Sequence, residues 1–502
     1  MATTNEKETS PRPPVVGILG HIDHGKSTLI DYIRKSNITA SEAGGITQHV
    51  RAFEVSRQRA DGRLSKITLL DTPGHEAFKS LRTRGASVAD IGILIVSAED
   101  GVKPQTQEVL KYIEESSLPY IVAITKIDKP SADPMRARQS LAENGVLVEG
   151  YGGSVPVVDV SAKTGQGVND LLDMIDLVAE LENLSGTAEE LGSGIIIESS
   201  LDPKRGIAAT GVIKNGTMRK GMFAVCGESL MPIRFLLDAD EKMVDELTFS
   251  SPVRLIGWDK IPPIGEEFRT FLKKDDALKY IEGGKNKNKK DNTIKSQVTE
   301  GAIMLPIIVK ADTAGSLEAI EGEIAKVAKE RIVPKIIYTG VGSINENDVK
   351  LAIATPGAVV VGFHTKSDSR AVALAERSGI ELLTYTIIYE LTDKISEILT
   401  AREPRVQVEE TTGSAKVLRL FNSAKNKQVL GARALTGTIS LGNSIKIMRR
   451  DVEIGRGKVR ELQQAKIAVE KVDEGNEFGA MIESKTEVAP GDVLEAVTLV
   501  TK

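Results

Sequence analysis

The stretch GILGHIDHGKSTLI, residues 17–30, decides the fold of the first part of the chain. Residues 20–27, GHIDHGKS, follow the pattern of a glycine, four residues, a second glycine, a lysine and a serine or threonine. In this pattern glycines let backbone amides face phosphate groups, the lysine neutralises phosphate oxygens, and the hydroxyl can bind Mg²⁺. The apolar run VVGIL precedes it and the helical pattern KSTLIDYIRK follows it. We therefore predict a phosphate-binding loop between a strand and a helix.

Two later motifs complete the phosphate and metal side of this predicted site. In LLDTPGHEAF, Asp71 ends an apolar strand and can reach a metal through water, while Gly74 can offer its amide to a γ-phosphate. GGITQHV supplies Thr47 as a second hydroxyl. The predicted metal ligands are Ser27, Thr47 and, through water, Asp71. The predicted phosphate-binding residues are Gly20, His21, Ile22, Asp23, His24, Gly25, Lys26, Ser27, Thr28 and Gly74.

Two motifs at the ends of the next strands indicate which nucleotide base is bound. They are TKID at residues 125–128 and SAK at residues 161–163. The carboxylate of Asp128 can accept both N–H groups on the ring edge of guanine, which adenine cannot provide. The predicted guanine-binding residues are Thr125, Lys126, Asp128, Ser161, Ala162 and Lys163. The expected cofactors are GTP or GDP with Mg²⁺, and a metabolic ATPase is disfavoured because these motifs would have no role in it.

Composition sets broad limits on the rest of the molecule. The chain has 502 residues, 41% hydrophobic and 27% charged, which indicates several ordered globular domains. A net charge of −5 excludes a globally basic nucleic-acid binder. Cys226 is the single cysteine, so neither an intramolecular disulfide nor a thiolate zinc cluster is possible. With no apolar run of membrane length and no signal peptide, we expect a cytoplasmic protein without a membrane partner.

Strand and helix patterns divide the chain into a multidomain α/β plus β architecture. Alternating apolar runs and helical stretches predict two α/β domains, whereas short β runs broken by glycines predict two barrels. The predicted segments are a disordered leader (1–14), a P-loop GTPase domain (15–185), a β-barrel (186–282), a Lys/Asn-rich linker (283–300), a small α/β/α domain (301–386), a connecting helix (387–403) and a C-terminal β-barrel (404–502).

The motifs GHIDHGKST, EAGGITQHV, DTPGHEAF, RGASVADI and VKPQTQE resemble the G domain of translational GTPases, most closely bacterial translation initiation factor 2. Later stretches resemble the following domains of that family in the same order. They are ESSLDPKRGIAATGVIKNGTMRKG, LPIIVKADTAGSLEAI through GVGSINENDV, IIYELTDKI, and GTISLGNSIKIMRR through GDVLEA. The resemblance covers the chain from Val15 to Val497.

This resemblance implies a GTP-dependent switch that binds formylmethionyl initiator tRNA, promotes its placement on the small ribosomal subunit and subunit joining, and hydrolyses GTP on the assembled ribosome. His75 is implied to position the attacking water. The motifs contain no obvious arginine finger, so stimulation by the large ribosomal subunit is expected. The implied partners are both ribosomal subunits, the initiator tRNA and other initiation factors, and the protein is expected to be a monomer.

In the C-terminal barrel, the resemblance makes Arg433, Glu477, Phe478 and Gly479 candidate contacts to the aminoacylated end of the tRNA. They could equally be ordinary barrel residues. Ala432 stands where the formylmethionine pocket of the family often has a cysteine. Thr125 stands where the guanine motif normally has asparagine, which predicts weaker nucleotide binding with guanine selection retained through Asp128.

Two further features and three alternatives stay open at this stage. The G domain begins about fifteen residues into the chain, so anchoring to the small subunit through a long N-terminal extension is not expected. His21 and His24 are interpreted as loop side chains rather than zinc ligands, with Asp23 orienting the loop or sharing a monovalent cation.

An elongation-type or selenocysteine-type delivery factor is disfavoured by the α/β third domain. An archaeal or eukaryotic initiation factor 5B-like GTPase and a GTP-binding scaffold with little hydrolysis remain possible.

Overall fold

The computed structural model of the chain describes residues 9–35, 47–59, 62–74, 76–285, 303–329, 331–403, 407–424 and 426–501. It divides into two compact units, Met1–Arg402 and Glu403–Lys502. In the described ranges, none of the helices reaches the length and apolarity needed to cross a membrane.

The first part of the larger unit is a six-stranded sheet with helices on both faces. Its elements are β1 (Ser10–Pro11), β2 (Val15–Gly20), α1 (Lys26–Arg34), β3 (Arg51–Gln58), β4 (Leu64–Asp71), a 3₁₀ helix (Glu76–Phe78), α2 (Lys79–Val88), β5 (Ile91–Ser97), α3 (Pro104–Ser116), β6 (Tyr120–Thr125), α4 (Pro134–Glu143), β7 (Val157–Asp159), α5 (Val168–Leu181) and β8 (Ser185–Gly186). The sheet order is β3-β4-β2-β5-β6-β7, and every pair except β3–β4 is parallel. The carboxyl ends of β2, β4, β6 and β7 therefore meet at one edge, where the nucleotide motifs follow.

Residues 9–14 differ from the sequence prediction, which assigned them to a disordered leader. Ser10–Pro11 form β1 and pair with β8. The guanidinium of Arg12 donates to both carboxylate oxygens of Asp90, at 2.6 and 2.7 Å, and Lys214 donates to the same carboxylate at 2.6 Å. The polar composition of this segment concealed a buried ion-pair network, because the partners lie far away in the sequence. Residues 1–8 of the predicted leader lie outside the described residues.

The next part is an antiparallel sheet that rolls into a β-barrel. Its elements are β9 (Ser193–Asp202), β10 (Gly206–Asn215), β11 (Thr217–Arg219), β12 (Phe223–Cys226), β13 (Ser229–Pro232), β14 (Leu236–Leu237), β15 (Met243–Val244), β16 (Glu246–Thr248), β17 (Pro252–Ile256), β18 (Glu267–Phe271) and the helix α6 (Lys274–Lys285). Met231 and Leu236 lie on strands near opposite ends of the ladder β13-β12-β18-β9-β10-β17-β14-β15, yet both pack in one core around Phe268. Of the predicted linker, residues 286–300 lie outside the described residues.

The third part is a four-stranded parallel sheet covered by helices. Its elements are β19 (Ile303–Ala311), α7 (Ala314–Lys326), β20 (Ile332–Val341), α8 (Glu346–Ala354), β21 (Val359–Phe363), α9 (Ser369–Ser378), β22 (Leu382–Tyr385) and α10 (Ile388–Arg402). The strand order is β20-β19-β21-β22. Successive residues of β19 face opposite sides, since Ile307 packs with α7 and α10 while Ile308 packs with α8 and α9. This is the predicted α/β/α arrangement.

These three parts share one apolar core. Phe78 and Leu81 from the region that follows DTPG, Ile197 from the barrel and Leu317 from α7 belong to the same buried cluster. Arg84 on α2 also forms a bidentate ion pair with Glu318 on α7, with one contact at 2.6 Å. The described residues of the larger unit are therefore packed into one body.

The second unit is a closed β-barrel. Its strands are β23 (Gln407–Ala424), β24 (Lys427–Ser440), β25 (Ser444–Arg449), β26 (Val452–Gln464), β27 (Ile467–Ala468), β28 (Lys471–Asp473), β29 (Glu477–Ser484) and β30 (Val493–Thr501). The pairings run β23-β30-β25-β26-β29-β24 and return from β24 to β23, which closes the ring. The fold class predicted from the sequence is confirmed.

The network around Asp90 gives the first prediction. Arg12 and Lys214 hold the pKa of this buried carboxyl below its ordinary value of 3.8. Asp90→Asn should leave two cations without their counter-ion and lower the free energy of unfolding at pH 7 by about 3–5 kcal/mol, measured by urea denaturation. Because the folded-state pKa is lowered, this stabilisation is present above about pH 4 and disappears at more acid pH, where variant and wild type should converge.

Asp173→Asn is the matched control, since Asp173 pairs with Arg57 but its side chain is 56% exposed. It should cost less than about 1 kcal/mol. Equal losses in the two variants would contradict the structural role given to Asp90.

Candidate functional site

The backbone of the predicted phosphate-binding loop is shaped by residues in the left-handed region. The loop connects β2 to α1, and Asp23 has φ 60° while Gly25 has φ 90°. Gly20 has φ 146°, and a Cβ at this position would lie 2.6 Å from the carbonyl oxygen of Ile95. Loops that mix left-handed and right-handed residues turn successive N–H groups toward one anion. The exposed Thr28 follows in the first turn of α1, where the helix dipole also favours an anion.

Lys26 lies at the centre of this loop. Its ammonium donates to the carbonyl oxygens of Gly20 at 3.0 Å and His21 at 2.5 Å. Burial lowers its pKa to about 8, although the nearby Asp71 opposes this shift. A Cβ on Gly74 would collide with the Lys26 ammonium and approach Ile22. A side chain at position 74 would therefore have to displace the Lys26 ammonium for the DTPG segment to lie over the loop, where the amide of Gly74 can reach a terminal phosphate.

The predicted metal ligands come together at the mouth of the loop. The hydroxyl oxygens of Ser27 and Thr47 are 2.7 Å apart although twenty residues separate them. This is the length of a hydrogen bond between the two hydroxyls. Adjacent ligands of an octahedral Mg²⁺ are roughly 3 Å apart, so a small separation would let both oxygens reach one ion. Asp71, at the end of β4, is buried and acts electrostatically on Lys26. His75, the residue implied to position water, lies outside the described residues.

The two loop histidines have a structural explanation. The rings of His21 and His24 meet edge to face with centroids 5.0 Å apart. Nδ1 of His24 lies 3.3 Å from the amide nitrogen of Ser97 and 3.5 Å from the carbonyl oxygen of Ile95, at the end of β5. Burial, followed by the neighbouring His21, lowers the pKa of His24 to about 4. His24 is therefore a neutral support that fixes the loop on β5.

The guanine motifs meet at the end of β6. The hydroxyl of Ser161 donates to Asp128 at 2.7 Å, which orients this exposed carboxylate and holds its pKa below the ordinary value. Lys126 occupies the left-handed region with φ 61° and lies 3.9 Å from Glu99. Ala162 and Lys163 follow Ser161 in the same loop, half-buried and exposed respectively.

Thr125 supplies one of the two contacts expected of the missing asparagine. Its hydroxyl donates to the carbonyl oxygen of His24 at 2.6 Å, so the link from this motif to the phosphate-binding loop is present. The hydroxyl is buried at the end of β6 and is also 3.4 Å from the carbonyl of Val96. Of the two contacts expected of an asparagine, we therefore expect the one to the base to be lost.

In the C-terminal barrel, the four candidate tRNA contacts lie on two neighbouring strands. The register pairs Arg433 with Glu477, Ala432 with Phe478, and Gly431 with Gly479. Arg433 and Glu477 are exposed, whereas Phe478 packs in the barrel core together with Ala432. Phe478 is thus an ordinary core residue, because strand alternation directs its side chain inward.

Sequence reasoning missed the apolar residues beside these candidates. Phe421 on β23 is 64% exposed, and its ring lies over Gly431, where an added Cβ would be 3.1 Å from the ring. Val429 is also exposed on the same outer face. The facing glycines 431 and 479 leave a shallow floor between Phe421 and the Arg433–Glu477 row. Phe421 and Gly431 lie far from Gly479 in the sequence, so no sequence signal could have identified this surface.

Protein-family models match successive parts of the chain in the same order as the parts of the fold. The Elongation factor Tu GTP binding domain family matches residues 12–180, the Elongation factor G domain 2 family matches residues 192–271, and the Translation-initiation factor 2 family matches residues 282–396.

Similar proteins cover nearly the whole chain. The chain is 41% identical over 496 residues to translation initiation factor IF-2 of a Nitratiruptor species and 40% identical over 494 residues to that of Aquifex aeolicus. Each alignment covers 97% of this chain, but only 58% and 61% of the relatives. The crystal structure of GDP-bound aIF5B from Aeropyrum pernix aligns with 97% of this chain and 92% of its own, at 25% identity and a TM-score of 0.46.

The position of Thr125 gives the second prediction. Thr125→Asn should restore the base contact while keeping the bond to His24, and so lower the Kd for GDP about 2- to 10-fold in a fluorescent-nucleotide titration. Thr125→Val should raise the Kd, because it leaves the buried carbonyl of His24 without this donor. Thr125→Ser keeps the hydroxyl and is the matched control. An unchanged Kd for Thr125→Asn would refute the explanation.

Proposed function

This chain belongs to the translation initiation factor IF-2 family of translational GTPases, and from this we propose that it is a GTP-dependent switch acting in translation initiation. The chain spans about 60% of the length of the relatives it matches, so its activity and partners are our proposals. The single observation that carries the proposal is the convergence of Ser27, Thr47 and Gly74 on the loop around Lys26.

The phosphate side of this site suits GTP with Mg²⁺. Lys26 and the loop amides would bind the β- and γ-phosphates, while Ser27 and Thr47 would ligate Mg²⁺ and Asp71 would contact it through water. Thr47 and Gly74 lie on separate segments, and each would gain a contact to the bound Mg²⁺ or to the terminal phosphate. Loss of that phosphate on hydrolysis would release both, which is the basis of a switch.

The hydrolytic step requires only water and GTP. Water attacks the γ-phosphorus, the bond to the β–γ bridging oxygen breaks, and GDP and inorganic phosphate are released. The resemblance assigns His75 to holding that water in line. Lys26, the Gly74 amide and Mg²⁺ would stabilise the charge on the phosphate oxygens. Stimulation would come from the large ribosomal subunit, because the motifs contain no obvious arginine finger.

The C-terminal barrel suits the acylated end of formylmethionyl initiator tRNA. Phe421 and Val429 offer an apolar surface for a methionine side chain, and the glycine floor allows close approach of a backbone-like ester and formamide. Arg433 offers donors for a phosphate or carbonyl at the rim. Glu477 and Gly479 complete this face, whereas Phe478 supports it from inside the barrel.

We further propose that the protein acts as a cytoplasmic monomer. It would place the initiator tRNA on the small ribosomal subunit, cooperate with other initiation factors, and promote joining of the large subunit before hydrolysis ends its residence. Its function would then be to control ribosome assembly, and GTP hydrolysis would be the irreversible step.

The third prediction concerns hydrolysis. GTP turnover should be slow alone and should rise about 10³- to 10⁵-fold with assembled ribosomes, measured as released phosphate. His75→Ala should reduce the stimulated rate about 100-fold while the affinity for GTP stays unchanged. Wild-type protein that binds GTP but is not stimulated would instead be a GTP-binding scaffold.

The fourth prediction concerns tRNA. The protein should slow alkaline hydrolysis of the ester in formylmethionyl initiator tRNA, but not in the unformylated or elongator aminoacyl-tRNAs. Phe421→Ala should remove most of this protection. Val452→Ala, which shortens another exposed apolar side chain of the same barrel, is the matched control and should keep it. Without protection of the formylated tRNA, the proposed role of the barrel would be wrong, whatever the GTPase result.

A further inference from the structure

Three side chains that the nucleotide site does not use meet where the segment after Thr47 reaches the third part of the larger unit. His49 lies two residues beyond Thr47, Asp312 follows β19, and His364 follows β21. One ligand-type atom from each lies within 4.8 Å of the other two. Two imidazoles and a carboxylate are thus brought together from positions up to 315 residues apart.

The distances in this cluster do not suit hydrogen bonding. Nε2 of His49 lies 3.4 Å from Oδ2 of Asp312, whereas N–H···O bonds are usually about 2.7–3.2 Å long. Two ligands of a tetrahedral ion with bonds of about 2.0–2.1 Å are separated by roughly 3.3 Å. The rings of His49 and His364 are 5.4 Å apart and inclined by 60°, so they converge without stacking. The spacing of His49 and Asp312 is therefore that of two ligands of one small cation, and the atom of His364 lies within 4.8 Å of both.

One polar atom in the cluster lacks the partner that a buried group normally has. Nε2 of His364 is buried, with no hydrogen-bond partner among the described residues. Buried side-chain nitrogens are usually hydrogen-bonded, so such atoms require an explanation. Asp312, in contrast, is oriented by the hydroxyl of Ser316, which donates to its other oxygen at 3.0 Å. This is the outer support that metal-binding carboxylates typically have.

The backbone at His364 is in an unfavourable conformation. Its φ is 50°, in the left-handed region that residues with a side chain rarely adopt. Its amide nevertheless donates to the carbonyl of Tyr385 at 2.9 Å, which holds it there. Such conformations occur often at ligand-binding positions, because the surrounding structure maintains a strained residue where its side chain is needed.

We propose that His49, Asp312 and His364 form a binding site for a divalent transition-metal ion, with Zn²⁺ as the best fit. Imidazole nitrogens favour such ions, whereas Mg²⁺ and Ca²⁺ prefer oxygen ligands. Three protein ligands leave the fourth position for water. The ion would fasten the segment that follows Thr47 to the third part, beside the bond that Gln48 Nε2 donates to the carbonyl of Thr386 at 3.0 Å. This site goes beyond the proposed function and does not depend on it.

The test is a calorimetric titration of the metal-free full chain with Zn²⁺ alone, without nucleotide. We expect one tight equivalent in the wild type and about 100-fold weaker binding in His364→Asn. Asparagine tolerates the left-handed region, so this change should keep the backbone intact. Asp368→Asn, which removes an exposed carboxylate four residues further on, is the matched control and should bind as the wild type does.

Asp312→Asn provides a second, independent variant, and Co²⁺ absorption provides a readout of the ligands. Both cluster variants should lose the visible band expected of a low-coordinate Co²⁺ ion with imidazole ligands. The proposal is overturned if the wild type binds no stoichiometric Zn²⁺, or if both cluster variants bind it as the wild type does, since the metal would then lie elsewhere. Neither result would affect the proposed role in initiation, because no nucleotide, tRNA or ribosome is present.

Discussion

The larger unit depends on one apolar contact, the packing of the segment after DTPG against α7. Phe78 and Leu81 have no solvent exposure and share a core with Ile197 of the barrel and Leu317 of α7. Gly74, which lies over Lys26, is only four residues from Phe78. Since packed interiors respond to displacement by changing arrangement rather than by deforming smoothly, Gly74 cannot move far without disturbing α7. A displacement at the nucleotide site would therefore be transmitted through this packing to the third part.

Much of the nucleotide site could be predicted because its motifs are local. Each one ends a buried strand of a parallel sheet, and the carboxyl ends of such strands meet at one edge whatever the loops contain. The pairing of Asp128 with Ser161 followed from that rule, whereas Thr47 precedes β3 and its contact with Ser27 did not. The division into α/β and β parts followed in the same way from strand and helix periodicity. His75 could be proposed only from resemblance.

What the sequence could not predict depends on contacts between distant residues. Arg12 looked like part of a polar leader because nothing near it reveals Asp90, its partner in a buried ion pair. Phe478 looked available for binding because a pattern of residues does not show which face of a strand is inside. His49, Asp312 and His364 occur singly in three unrelated stretches, so only the fold brings them together. The effect of Thr125 likewise required the distance from its hydroxyl to the loop carbonyl.

The segment from Thr47 to Ala52 explains how nucleotide and domain contacts can influence each other. Thr47 reaches Ser27 at one end, Gln48 donates to the carbonyl of Thr386, and Val50 and Ala52 pack in the core shared with the third part. A Mg²⁺-bound nucleotide that holds Thr47 would therefore stabilise the contacts of the following residues. By linkage, those contacts must favour the nucleotide by the same factor. A weakened base contact at Thr125 would lower the affinity without changing this factor, so the third part could control binding without touching the nucleotide.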